Sequence, residues 1–314
     1  MNLSIEGHRH TVSVETIQNN REALDQYLIA RYGHLDHLNA YPDLGIVLQH
    51  SALSDRVPIE VVSAGIHQMA INLQEPNLGL EMAAYLENTH QHISLFFSNL
   101  NFSFTDHLKM ISRYIGIASE IFTLEVIETT DDLILQLTPN SPLTITHHQS
   151  EALTALVVGS LCDSQKIKLK RIDFTHSIPS DDTEIYQRSY VIQPHFQKDK
   201  TRLIFSNTAR GIAFSEKKPN SDSLREIQAF EAKHIKLYGE HRFLERCNFL
   251  LPILLCLGQP NKEQLAAILC VTPRTLQRKL KAEGSTFRSL LQALRIELTE
   301  HHFKNNQVTC TELA

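Results

Sequence analysis

The sequence has 314 residues, of which 42% are hydrophobic and 21% charged, enough length and apolar material for two domains with buried cores. Its longest strongly apolar stretch, Phe249 to Leu257, is interrupted by Pro252 and falls well short of the roughly 20 residues a membrane helix needs, which excludes a spanning segment. The formal net charge of −5 is unevenly divided: residues 261–314 carry a net +3, leaving −8 to residues 1–260, so only the carboxyl-terminal end offers a place for a polyanion.

The start, Met1 to His10, lacks both a basic n-region and a following apolar core, so a cytoplasmic location is expected. Five cysteines, Cys162, Cys247, Cys256, Cys270 and Cys310, form an odd set without motif spacing, which fits reduced thiols rather than a disulfide framework. Apolar residues at helical spacing predict helices over Thr16–Tyr32, Pro58–Gln74, Asn77–Glu87 and Thr105–Ser119, with Pro58 suited to a first turn. Alternation then takes over. Phe122–Glu128 and Leu133–Leu137 flank the polar Thr129-Thr130-Asp131-Asp132 and predict a hairpin. A helix over Ser150–Leu161 follows. Lys166–Phe174 reads as a strand despite an imperfect period, and Leu203–Phe205 and Ile212–Phe214 read as two more short strands. The fold class expected is an α+β domain over residues 1–220, a connecting helix or linker over 221–240, and an all-α domain over 241–314. Ser215–Ser223, rich in Ser, Lys, Pro and Asp, is the best linker stretch.

In the last part, Arg242–Leu257 places Phe243, Cys247, Leu250, Leu251 and Leu254 on one helix face, with a kink expected at Pro252. The breaker Gly258-Gln259-Pro260 ends it. Asn261 to Gln264 is a capping-box pattern that starts a short helix through Leu269. A turn at Cys270-Val271 precedes Thr272-Pro273, an N-cap and first-turn proline for a second helix that ends at Gly284. Two short helices joined by a tight turn predict a helix-turn-helix. At about 100° per residue, Arg274, Gln277, Arg278 and Lys281 share one face of the second helix while Leu276 and Leu280 point away. Arginine can fork onto guanine, glutamine can pair with adenine, and lysine can neutralise phosphate, so this face is equipped for major-groove readout.

The run Thr272 to Phe287, followed by Leu290-Leu291 and Arg295, resembles the first helix-turn-helix and linker helix of AraC/XylS transcription regulators. The resemblance implies a sequence-specific regulator of double-stranded DNA, with Arg274, Gln277 and Arg278 at base-contacting positions and Lys281 nearer the backbone. Thr272 and Thr275 complete the DNA-binding set, and Arg295 is implied to be mainly structural. Thr299 stands where the pattern usually has Ala. Upstream, Phe174-Thr175-His176, Pro179, Tyr186, Phe196 and Leu203-Ile204-Phe205 resemble the sensor domain of the subgroup that includes ornithine-utilisation regulators. That likeness implies a domain that binds a small-molecule effector, with His176 and Tyr186 as candidate ligand-binding residues. The partners implied are DNA, the effector, RNA polymerase to be recruited or blocked, and a second copy in a homodimer.

Other chemistries find less support. His8-x-His10, His90-x-His92 and His147-His148 lack Cys or carboxylate partners at a zinc spacing, so satisfied or exposed histidines are expected and no metal. A hydrogen-bonded core role for His176 stays open beside the ligand role. Nucleotide-binding, nucleophile-elbow and zinc-protease motifs are missing from the sequence, which points to no enzyme and no cofactor. Finally, Thr309-Cys310-Thr311-Glu312-Leu313-Ala314 matches Asn261 to Ala266 in its cap, its Glu or Gln three positions on, and its Leu-Ala. A second helix-turn-helix is expected to begin there, with its recognition helix beyond Ala314. The alternative function is therefore a ligand-binding or dimerisation protein whose DNA-binding domain is made defective by truncation.

Overall fold

The computed structural model describes residues 10–34, 56–86, 103–162, 167–180, 183–209, 225, 227–229, 243–256 and 260–304. Thr11–Ser13 forms strand β1. Its last residue also opens helix α1, Val14–Tyr32, because the Ser13 hydroxyl accepts the Thr16 N–H at 3.2 Å. Helix α1 closes on Gly33, whose φ of +78° is the left-handed conformation that a side chain disfavours. Strand β2, Arg56–Pro58, pairs antiparallel with β1 and sets Val57 opposite Val12, both fully buried. Pro58 then precedes α2, Ile59–Leu73, and α3 follows over Leu78–Leu86.

Helix α4, Phe104–Ala118, begins where Ser103 accepts the Asp106 N–H at 3.1 Å. It packs against β3, Phe122–Glu128, which forms a hairpin with β4, Asp132–Pro139. Helix α5, His147–Cys162, is followed by β5, Leu169–Asp173, then α6, Glu184–Tyr190, and β6, Thr201–Ser206. The sheet order is β3-β4-β6-β5, antiparallel throughout. Its register aligns Val126, Leu135 and Leu203 across three strands on the buried face. Phe205 meets Phe104 of α4 edge-on, with ring centroids 5.0 Å apart.

The expected elements from Thr16 to Leu161 are present to within a few residues, and the imperfect period at β5 has a physical cause. Leu169 pairs with Phe205 and Ile172 with Leu203, so one extra residue on β5 forms a bulge that returns both side chains to the same face. Helix α6 and the β1–β2 pair were not expected. Their sequences are too short for a period to show. His176 sits in a bend beyond the end of β5. The expected strand Ile212–Phe214, the linker Ser215–Ser223, most of the connecting segment and the repeat at Thr309–Ala314 lie outside the described residues.

Helix α7, Phe243–Cys256, continues past Pro252 and buries Cys247, Leu250, Leu251, Ile253 and Leu254. It packs against α8, Lys262–Ile268, α9, Pro273–Ala282, and α10, Phe287–Lys304. It also meets α4, where the Phe249 and Tyr114 rings lie 5.7 Å apart. One continuous apolar cluster therefore runs from the sheet through α4 and α7 into the last three helices. Among the described residues, no helix is long and apolar enough to cross a membrane.

Candidate functional site

The α8–α9 pair is fixed at every end by a local hydrogen bond. Asn261 accepts the Gln264 N–H at 2.8 Å while the Gln264 side chain accepts the Asn261 N–H at 3.1 Å, closing the capping box. The turn passes through Cys270, which adopts φ +52°, and Val271 donates its N–H to Ala266 at 2.9 Å. Thr272 then accepts the Thr275 N–H at 3.2 Å, with the two hydroxyls 3.0 Å apart, so both threonines are engaged in the cap of α9. At its far end, Gly284 at φ +75° lets Ser285 donate to Leu280 at 2.8 Å and Gly284 donate to Lys281 at 3.1 Å, the two bonds of a Schellman closure.

Leu276 and Leu280 are fully buried, each contributing about 1.5–3 kcal/mol of apolar burial that holds α9 by one side. Arg274, Gln277, Arg278 and Lys281 are all exposed, and none makes a side-chain hydrogen bond or ion pair among the described residues. The structure thus brings the four expected contact residues onto one open face. Lys279, off that face, instead lies 4.9 Å from the centroid of the Phe243 ring. Arg295 is exposed on α10 and has no hydrogen-bond or ion-pair partner among the described residues.

A second site lies inside the mixed α/β region. Tyr186 of α6 is fully buried and donates its hydroxyl to Glu151 Oε1 of α5 at 2.7 Å, with Asn77 Oδ1 at 3.4 Å. His176 Nε2 shares the same Glu151 oxygen at 3.1 Å. Tyr190 bonds the Glu151 carbonyl at 3.0 Å and Thr154 at 2.8 Å. Burial and the adjacent carboxylate push the Tyr186 phenol well above its ordinary value, so it stays a donor. His176 and Tyr186, the two expected ligand residues, are therefore brought together, but through a third residue that was not expected. Glu151 is fully buried, and the signal that could have exposed it is an acidic residue directly preceding the stretch Ala152 to Val158, apolar except for Thr154.

Of the paired histidines expected to be satisfied or exposed, His147 is satisfied by the Pro76 carbonyl at 2.8 Å, whereas His148, one turn before Glu151, departs from the expectation. It is buried, its Nδ1 has no hydrogen-bond partner among the described residues, and its ring is 4.0 Å from that of His147. Burial, reinforced by His147, His67 and His176, lowers its pKa to about 3. Among the described residues no group of three or more His, Cys, Asp or Glu is placed to hold a metal ion.

Residues 42–210, which contain β2–β6, α2–α6 and the whole Glu151 cluster, match the family model described as the arabinose-binding domain of AraC transcription regulator, N-term. The chain belongs to the AraC family of transcription regulators. Helices α7–α10 lie outside the matched region of this AraC-family chain. A solved structure, that of the transcriptional regulator CdpR from Pseudomonas aeruginosa, is similar with a TM-score of 0.47 and 16% identity, over 80% of this chain and 82% of that one. No curated protein matches the chain.

Proposed function

We propose that the chain is a sequence-specific DNA-binding transcription regulator in which residues 1–220 sense a small-molecule effector and residues 241–314 bind DNA, joined by a connecting segment at 221–240. The observation that carries the DNA half is the division of α9: two fully buried leucines anchor it, and four polar side chains without side-chain partners among the described residues project from the other side. With α8 it forms a helix-turn-helix whose second helix is shaped to enter a major groove. Arg274, Gln277 and Arg278 face base edges, Lys281 faces a phosphate, and Thr272 and Thr275 hold the helix start close to the backbone. The sequence motifs favour the ornithine-utilisation-regulator-like subgroup, with RNA polymerase and a second copy of the chain as further partners.

The sensing half is supported by family membership and by the burial of ionisable and polar groups around Glu151, where well-packed apolar residues of similar volume would often be as stable. Its link to DNA runs through α4, which touches the sheet on one side and α7 on the other. The test is selection of preferred duplexes by the purified full chain. Arg278→Ala should lose about 1–3 kcal/mol of discrimination at one base position, as removal of a bidentate contact does. Unchanged base preferences in that variant would remove Arg278 from the readout face.

A further inference from the structure

Arg113 and Tyr114, neighbours near the end of α4, reach two different helices of the carboxyl-terminal part. The Tyr114 ring, fully buried, lies 5.7 Å from that of Phe249 on α7. Arg113 Nη1 donates to Glu297 Oε1 of α10 at 3.3 Å. Glu297 stands on the same side of α10 as the buried Leu290 and Leu294, and α10 packs on α7. The turn that carries Arg113 and Tyr114 is itself fixed from the sensing part. Arg56 of β2 donates to the Gly116 and Ile117 carbonyls at 3.0 and 2.7 Å, at the negative end of the α4 dipole, and Lys109 pairs with Glu128 of β3 at 2.7 Å. The connecting segment adds its own contacts. Ile227 is fully buried in the shared apolar cluster, and Gln228 donates to Cys270 Sγ at 2.8 Å in the turn between α8 and α9.

We infer that Arg113 and Glu297 form an orientation latch, through which the sensing part sets the angle of the reading helix while leaving its open face uncovered. The inference rests on the DNA-reading role proposed above and adds how that role is governed. Two bodies joined at one ring contact can pivot about it; a second contact, on a different helix, removes that rotation. An exposed ion pair contributes little energy, so the shared apolar cluster holds the two parts together and the pair selects their angle. From α10 the angle passes to α9 through a stiff joint. Ser285 donates to the Leu280 carbonyl at 2.8 Å, and Thr286 accepts the Ser289 N–H at 3.0 Å, which bonds the end of one helix to the start of the next. With the latch closed, Arg274, Gln277, Arg278 and Lys281 remain exposed. Docking therefore aims α9 and does not mask it.

The test is measurement of residual dipolar couplings in the weakly aligned full chain without DNA, comparing amides of α8–α10 with those of β3–β6. In the parent both sets should fit one alignment tensor of one magnitude. In Arg113→Glu, where two carboxylates would face each other, the magnitude for α8–α10 should fall by about a third or more relative to the sheet, as pivoting averages it. The swapped chain, Arg113→Glu with Glu297→Arg, should restore a common tensor. Equal magnitudes in Arg113→Glu, unequal ones already in the parent, or a swap that restores nothing would each overturn the latch. Glu297 is 63% exposed, so Glu297→Arg alone gives the same readout if Arg113→Glu does not fold. A duplex carrying one selected site should bind the parent and Arg113→Glu within about twofold, because the latch lies apart from the reading face. A change of about tenfold or more would overturn the inference, a gain because docking would then be masking the face. Failure of both chains to bind any duplex would strike the DNA-reading role instead, while the couplings still decide the latch.

Discussion

The Glu283 carboxylate, at the end of α9, accepts the backbone N–H of Phe243 at 3.1 Å and that of Leu244 at 2.8 Å, at the first turn of α7. Two orphan donors of one helix are thus satisfied by the C-cap residue of another, and the negative charge sits at the positive end of the α7 dipole. This tie orients α9 on its support without using any of the residues on its open face.

Glu283→Ala should therefore destabilise the chain by about 1–2 kcal/mol, the usual cost of losing an N-terminal cap. Urea unfolding with unchanged slope and a lowered midpoint would show it. A midpoint equal to that of the parent would mean that water replaces the carboxylate at no cost.

Gly79→Ala should be more damaging. The added Cβ would stand 2.1 Å from a backbone oxygen, which cannot rotate away as a side chain can. Overpacking of this kind costs about 1–3 kcal/mol or more. A variant with unaltered stability would show that α3 and α5 are less closely apposed than described.

Much of this was legible in the sequence, and the parts that were not have physical reasons. The α8–α9 pair was readable because its information is local: Asn261 with Gln264, Thr272 with Pro273, and Gly284 each signal a helix end through bonds spanning a few residues. The hairpin of β3 and β4 was readable from period-two alternation. The Glu151 cluster was not, because Tyr186 meets Glu151 across a separation of 35 residues and Asn77 across 109, and no pattern along the chain encodes such a meeting. His176 and Tyr186 came from resemblance alone, and their shared partner came only from the fold.

His148 makes the stability of the protein sensitive to acid. Its folded pKa of about 3 lies below the unfolded value of 6.5, so the unfolded chain binds more protons between those limits. The contribution is fully present above pH 6.5 and is lost as pH falls toward 3, at up to about 1.4 kcal/mol per pH unit. The check is the difference in unfolding free energy between the parent and His148→Gln across this range. The parent should lose stability more steeply, and parallel curves would show that His148 does not titrate on unfolding.

Lys279 and Lys281 lie two residues apart on α9, both exposed, yet they should fail in different ways. Lys279 rests over the Phe243 ring at 4.9 Å, so Lys279→Ala removes a cation–π contact worth about 0.5–1 kcal/mol of stability. Lys281 shares the open face with Arg274, Gln277 and Arg278. If it neutralises a phosphate, Lys281→Ala should weaken binding to every duplex alike and reduce the dependence of log K on log salt by about one unit, because one fewer counterion is released. Stability should barely change. The measurement is binding of both variants to a selected duplex and a scrambled one over a salt series, with melting temperatures in parallel. The expected outcome is a changed slope for Lys281→Ala alone and a lowered melting temperature for Lys279→Ala alone. If the two variants lose the same slope, the nucleic acid covers more of α9 than the four-residue face, and the division of the helix into a reading side and a packing side has to be redrawn.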